Sequence, residues 1–268
     1  MQKQRPAKHP SPASAPENSG KGKDYWMYGT HAVHAALSNP KRMIKRLAST
    51  FPQQLPGVFG EFAKKRRLTI EQIDTYYLQK CAPNAVTQDI IALVSPLAEA
   101  DIDMVMEKNA PEQPITLVIL DQVTDPQNVG AILRSCAAFG AAAVILTDHH
   151  SAPESGALAK AASGALDVTP MIKAANLSRF MEQLKKDGFW CVGLSHDSVD
   201  AIGAVELPQK IALVLGAEGS GLRRLTREHC DLMVHLPTLP PIDQLNVSNA
   251  AAVSLYEIRR QHLLLGAP

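Results

Sequence analysis

The chain has 268 residues, 46% of them hydrophobic and 20% charged, enough apolar material for a real core in one large domain or two modest ones. No apolar run approaches the roughly 20 residues that a membrane helix needs, which argues against a helical membrane span. The four cysteines are scattered without a C-x-x-C pair, which argues against a zinc site or a disulfide framework and for a reducing, cytoplasmic setting.

The net charge of +1 hides an asymmetry: residues 1–100 hold 14 Lys and Arg against 7 Asp and Glu, and the rest hold 13 against 19. A basic front on an acidic back suggests a polyanion-handling module joined to something else. The competing reading is that Lys41-Arg42 and the run Lys64-Lys65-Arg66-Arg67 are ordinary solvated faces. Residues 1–23 are rich in Pro, Ser, Ala and Lys, too poor in large apolar residues to order themselves and without the apolar stretch of a signal peptide. From 24 to 96 the pattern is short and mixed, with helices expected over 29–37 and 58–67 and strands over 44–47, 68–73 and 90–94. That makes a small α/β domain. His31 and His34 lie three apart with no third ligand in sight and read as structural or surface residues. Residues 97–114, acidic and proline-bearing, read as a linker.

Beyond Pro114 the rhythm changes. Continuous apolar runs at 115–120, 143–146, 190–194, 211–215 and 232–236 read as strands buried on both faces. Helices are expected over 128–139, 157–162, 176–186 and 245–261. This alternation over 115–268 predicts a parallel α/β sheet with helices on both faces, whose ligands bind beyond the carboxyl ends of the strands.

Three stretches follow such strands. After the first comes Asp125-Pro126, a turn signal, then a helix opening near Asn128 and carrying Arg134, whose guanidinium requires an anionic partner from substrate or protein. After the 211–215 strand comes Gly216-Ala217-Glu218-Gly219-Ser220-Gly221, in which Glu218 is the only ionisable group. It matches neither the dinucleotide fingerprint nor a Walker loop, which sets a nicotinamide dehydrogenase aside. After 232–236 a loop stiffened by Pro237, Pro240 and Pro241 delivers Leu245-Asn246-Val247-Ser248-Asn249 to the start of an alanine-rich helix. Asn246 and Ser248 could hold a polar ligand there or simply cap the helix.

The segments DPQNVGAILRSCAAFG, LVLGAEGSGLRR and LPTLPPIDQLNVSNAAAVSLYE, in that order and spacing, resemble the three motifs of the SpoU (TrmH) family of RNA 2′-O-ribose methyltransferases. YGTHAVHAAL and AVTQDIIALV in the front domain resemble the substrate-binding domain of the ribosomal RNA branch, in which guanosine of 23S rRNA is the commonest target. The resemblance implies a SPOUT fold, a parallel sheet whose C-terminal segment forms a trefoil knot, with S-adenosyl-L-methionine as cofactor and a homodimer whose sites lie near the subunit interface. It maps Gly216, Leu236, Leu245 and Ser248 to cofactor binding and Asn128, Arg134, Glu218 and Asn246 to the active site, with no metal. Arg134 would grip RNA phosphate and stabilise the developing alkoxide, oriented by Asn128 and Glu218. The chain departs from the pattern at Gln244, where the family often has serine. A transfer RNA methyltransferase and a non-catalytic RNA-binding protein on the same scaffold are the alternatives.

Overall fold

The computed structural model describes residues 23–109 and 113–264, so the expected N-terminal tail lies almost wholly outside the described residues. A front module contains β1 (Tyr25–Tyr28), α1 (Thr30–Ser38), β2 (Ile44–Ser49), α2 (Gly57–Lys65), β3 (Ile70–Gln72), α3 (Thr75–Cys81) and β4 (Ile90–Val94). Its sheet has the order β1-β4-β2-β3, with β4 antiparallel to both neighbours and β3 parallel to β2. Two elements escaped the sequence reading. The strand β1 is four residues with no apolar–polar alternation, and α3 starts from an Asx cap in which Asp74 accepts from the Tyr77 amide at 2.7 Å. His34 packs edge-on against Phe59 and Phe62, at 5.9 and 5.4 Å between ring centres.

Much of the positive charge counted in this module is not available to a polyanion. The Arg46 guanidinium lies 5.6 Å from the rings of both Trp26 and Tyr77 and pairs with Glu71 at 2.6 Å. Arg66 donates to the carbonyls of Arg42 and Asn39. Arg42 is buried. Lys64, Lys65 and Arg67 remain at the surface.

The stretch expected to be a linker carries α4 (Ile102–Glu107), capped by Asp101. Val105 is buried, and Ala100, Ile102 and Met106 pack on the core of the second sheet. The segment lies against the body of the protein.

The second sheet follows in strand–helix alternation: β5 (Ile115–Asp121), α5 (Pro126–Phe139), β6 (Ala143–Thr147), α6 (Gly156–Ala162), β7 (Met171–Ala174), α7 (Leu177–Lys186), β8 (Trp190–Leu194), β9 (Asp200–Ala201), β10 (Lys210–Gly216), α8 (Arg224–Glu228), β11 (Leu232–His235) and α9 (Val247–Leu264). Its order is β7-β6-β5-β10-β8-β11-β9, and every neighbouring pair is parallel, as the apolar runs predict. Every residue of β5 is buried. The helix α5 begins two residues before the expected start because Pro126 takes the first helical position, where a missing N–H is harmless, and Asp125 caps the Gln127 amide at 3.0 Å. A Cβ on Gly130 would lie 2.5 Å from the Leu158 carbonyl oxygen, so glycine sets how closely α5 approaches α6. The short β7 and α8 were not expected; neither is long enough to show a period.

One apolar cluster runs from Tyr25, Met27 and Val33 of the front module into Val118, Ile132 and Leu158 of the second. Polar contact across the same boundary converges on Arg42, which is 1% exposed. Its guanidinium meets Asp167 at 2.8 Å, Glu154 at 2.8 Å and the Ser95 carbonyl at 3.1 Å, and Tyr25 donates to Glu154 at 2.9 Å. Burial opposes the charge on Arg42, yet the hydrogen bond to Asp167 and the nearby carboxylates hold its pKa above the ordinary value. Removing the guanidinium would strand two carboxylates. Arg42→Ala is therefore expected to destabilise the fold by about 3–5 kcal/mol. Arg42→Lys should recover only part of this, because a point charge cannot reproduce the fork. Urea denaturation of the three proteins measures both effects.

Candidate active site

In β5 and β10, Asp121 stands in register with Gly216, so the segments after both strands leave the sheet at one carboxyl edge. After Gly216 the chain folds back at once. Ala217 and Gly221 exchange main-chain hydrogen bonds of 3.1 and 2.9 Å, and Gly219 and Gly221 take left-handed φ values of 83° and 66°. A Cβ on Gly216 would come within 2.1 Å of the Gly221 main chain, so this position tolerates no side chain. The turn raises Glu218 above the sheet edge. Its far end is tied down by Arg223, whose amide and Nε donate to the fully buried Asp121 at 3.0 and 2.6 Å.

Two residues far apart in the chain meet at Glu218. The Asn128 amide, buried in the first turn of α5, donates to Glu218 Oε2 at 3.3 Å. Asn246 caps α9: its Oδ1 accepts from the Ser248 amide at 2.8 Å and from the Ser248 hydroxyl at 2.6 Å. Its Nδ2 then donates to Asn128 Oδ1 at 3.1 Å and Glu218 Oε1 at 3.3 Å. Capping and site building are thus done by one side chain, its oxygen serving the helix and its nitrogen the carboxylate. Each oxygen of Glu218 is met by an amide donor, which fixes the carboxylate without neutralising it.

Arg134 stands apart. Six residues beyond Asn128, it is about 9 Å further along α5 and about 240° around it. It is exposed and has no ion pair or hydrogen bond among the described residues. The expectation that Asn128 and Glu218 orient Arg134 is not met within the chain, because the two asparagines occupy that carboxylate. What the structure leaves at Arg134 is an unpaired guanidinium.

The positions read as cofactor-binding border the same region. Leu236 follows β11 and Leu245 precedes Asn246; outside the helix and strand ladders, neither makes a main-chain hydrogen bond among the described residues. Between them the loop closes on itself through a Leu239–Ile242 bridge and a hydrogen bond of 2.7 Å from Thr238 Oγ1 to the Asp243 carbonyl. Leu239, Ile242 and Leu245 expose their side chains. Gly216 ends β10 at the same edge, its Cα packed against the Gly221 main chain. Apolar side chains over unsatisfied main-chain groups suit a flat ring with a polar edge. Ser248 commits its amide and hydroxyl to Asn246. Gln244 is exposed and unbonded among the described residues. Among the described residues, no group of three or more His, Cys, Asp or Glu is placed to hold a metal ion.

The sequence reading passed over Asp121 and Arg223, which hold the glycine turn in place. The signal was present: an acidic residue ending a fully buried strand needs a partner.

Two family descriptions match the chain: the SpoU rRNA Methylase family over residues 115–256, and RNA 2′-O ribose methyltransferase substrate binding over residues 26–100. The chain is 39% identical over 244 residues to the 23S rRNA (guanosine-2′-O-)-methyltransferase RlmB of Pasteurella multocida (strain Pm70), covering 88% of this chain and 98% of that one. It is 38% identical to the protein of the same description from Vibrio vulnificus (strain CMCP6), covering 89% and 97%. Among solved structures, the SpoU methyltransferase AviRb from Streptomyces viridochromogenes in complex with the cofactor AdoMet superposes with a TM-score of 0.76 at 22% identity, over 90% of this chain and 91% of that one. An AdoMet-bound rRNA methyltransferase from Sinorhizobium meliloti gives a TM-score of 0.69 at 23% identity, over 88% and 87%. These two establish likeness of fold.

Because Asn246 caps α9, Asn246→Ala is expected to lower stability by about 1 kcal/mol. Glu218→Gln would turn an amide donor toward Asn128 or Asn246 in place of an acceptor, so it is expected to lower the urea denaturation midpoint as well, though without loss of the cap itself.

Proposed function

The chain belongs to the SpoU rRNA methylase family, and we propose that it methylates a ribose 2′-hydroxyl of RNA with S-adenosyl-L-methionine, the substrate being a guanosine of 23S ribosomal RNA. One observation carries the reading: Asn128, Glu218 and Asn246, drawn from three separate motifs, form one hydrogen-bonded cluster at the carboxyl edge of the sheet. The cofactor, when bound, would supply a sulfonium methyl group to the 2′-oxygen, leaving as the neutral thioether while the hydroxyl proton passes to solvent. Gly216, Leu236 and Leu245 would hold it through main-chain groups, with the exposed apolar side chains of the loop against its ring. Ser248 acts through Asn246, whose amide it fixes. Glu218, held by its two amide donors, orients the nucleoside. Arg134 contributes charge: a guanidinium stays protonated, so it grips phosphate and stabilises the alkoxide that develops on the ribose.

Residues 24–96 are assigned to RNA binding, with Lys64, Lys65 and Arg67 as surface cations. The four cysteines are all free, which supports a cytoplasmic setting, and among the described residues no helix is long and apolar enough to cross a membrane. The protein is further proposed to be a homodimer. Val253 and Tyr256 share one outward face of α9 at 46% and 57% exposure, Tyr256 packs edge-on with Phe139, and Leu239, Ile242 and Leu245 of the preceding loop are exposed as well. A second copy would cover this surface.

Methyl transfer from labelled S-adenosylmethionine to total RNA of a strain lacking the protein tests the reading. Label should appear in ribosomal RNA and survive alkali as a dinucleotide; label confined to transfer RNA would overturn the substrate. Arg134→Ala should fold normally, having no partner to lose, and lower turnover by about 10²–10³-fold. Val253→Asp should yield a monomer in sedimentation.

A further inference from the structure

A cavity of about 970 Å³ opens at the carboxyl ends of β5, β6 and β7, beside the cluster around Glu218 and separate from it. Its lining holds three arginines and three histidines; Arg224 is spent on Glu228 at 2.6 Å, and the lining carboxylate Glu182 is bonded to His229 at 3.1 Å. Arg223 reaches the cavity from the same glycine-rich turn that raises Glu218. The buried Asp121 holds its Nε, leaving its terminal amino groups without a partner among the described residues. Arg179, in the first turn of α7, is exposed and unpaired among the described residues. Thr147, at the end of β6, is only 8% exposed, and its hydroxyl has no hydrogen-bond partner although it lines the cavity. A buried hydroxyl without a partner is costly unless something else satisfies it.

We propose that this cavity is a second RNA-backbone site, taking a phosphodiester of the strand that runs past the methylated nucleotide. The proposal rests on the RNA methyltransferase reading. Guanidinium groups are the natural partners of phosphate oxygens, Arg223 being anchored by Asp121 and Arg179 unpaired among the described residues, and the Thr147 hydroxyl supplies a neutral donor deeper in the same hollow. The shape favours a strand over a free ion. A second hollow of about 460 Å³ shares Arg179 with the first and adds Lys186 of α7, while Lys173 in its lining is paired with Glu99 at 2.6 Å, so the cationic surface continues along α7 through Lys186. The turn from Gly216 to Arg223 joins this site to the reaction centre, with Glu218 near one end and Arg223 at the other.

The test is binding of the full chain to a ribosomal RNA fragment across a salt series, with inorganic phosphate titrated separately. Arg179→Ala should weaken RNA binding about tenfold, the worth of one charge-assisted contact. It should also lower the salt slope by about 0.7 per phosphate lost from a single strand. Thr147→Val should weaken RNA binding too while its melting temperature stays equal or rises, because a hydroxyl unsatisfied in the free protein has gone; a structural role would lower both. The affinity for S-adenosylmethionine should not change in either variant. Unchanged RNA affinity and slope in both variants would overturn the proposal. So would loss of phosphate binding with RNA binding intact, which would mark a site for a free anion. Binding is read without turnover, so a native chain that shows this RNA contact but transfers no methyl group would sink the methyltransferase reading and leave the contact standing.

Discussion

The guanidinium of Arg42 is the polar hinge-pin of the molecule. It leaves the front module and ends between Asp167 and Glu154, on the segments that flank α6, out of reach of water. A buried charge of this kind tolerates no partial separation, because any displacement leaves at least one carboxylate desolvated and unpaired. Around it the fit is close. Asn39 donates to Asp167 at 3.1 Å, the Leu97 amide donates to Glu154 at 3.1 Å, and Gly156 lies where a Cβ would strike the ring of Tyr28. The front module is therefore a fixed extension of the methyltransferase sheet. An RNA held on its surface is presented to the site at a set distance and angle.

That geometry gives the carboxyl edge of the second sheet its importance. The parallel strands β5 and β10 deliver Asp121 and Gly216 side by side, and the segment leaving each strand is braced by the other: Arg223 returns from the β10 turn to Asp121, and Asn128 rises from α5 to Glu218. Asn246 completes the cluster from the far end of the chain. The Glu218 carboxylate is held by both asparagines, and Asn246 is held in addition by Ser248. The turn bearing Glu218 cannot be reshaped freely either, because Gly216 leaves no room for a side chain.

The sheet was legible in the sequence because double burial writes itself as unbroken apolar runs, and all five expected strands of the second sheet are present. Strands of two to four residues, such as β1, β7 and β9, carry no period to read. Helix ends shifted where capping chemistry outweighed periodicity, as with Pro126 at the start of α5 and Asn246 before α9. Asn128, Glu218 and Asn246 could be singled out because each lies beyond a buried strand and falls in a motif with a family resemblance. Their mutual hydrogen bonds could not, since contacts between residues 90 and 118 positions apart depend on topology. The knot implied by that resemblance is likewise beyond any local pattern.

Charge was the least legible property, and the reason is burial. Arg42, Arg46, Arg66, Arg134, Arg179 and Arg223 look alike in a composition count, yet the structure divides them. Arg42, Arg46 and Arg66 are consumed by carboxylates, rings and carbonyls, and Arg223 is anchored to Asp121 by one side of its fork. Arg134 and Arg179 have no partner among the described residues. A protein that handles a polyanion needs some guanidinium groups left unpaired, because a cation already satisfied by its own carboxylate has little to gain from a phosphate. It also needs the others spent internally, to hold rigid the surfaces that carry the free ones. The front-to-back charge asymmetry is thus a sum of these two uses, and only the partners of each arginine separate them.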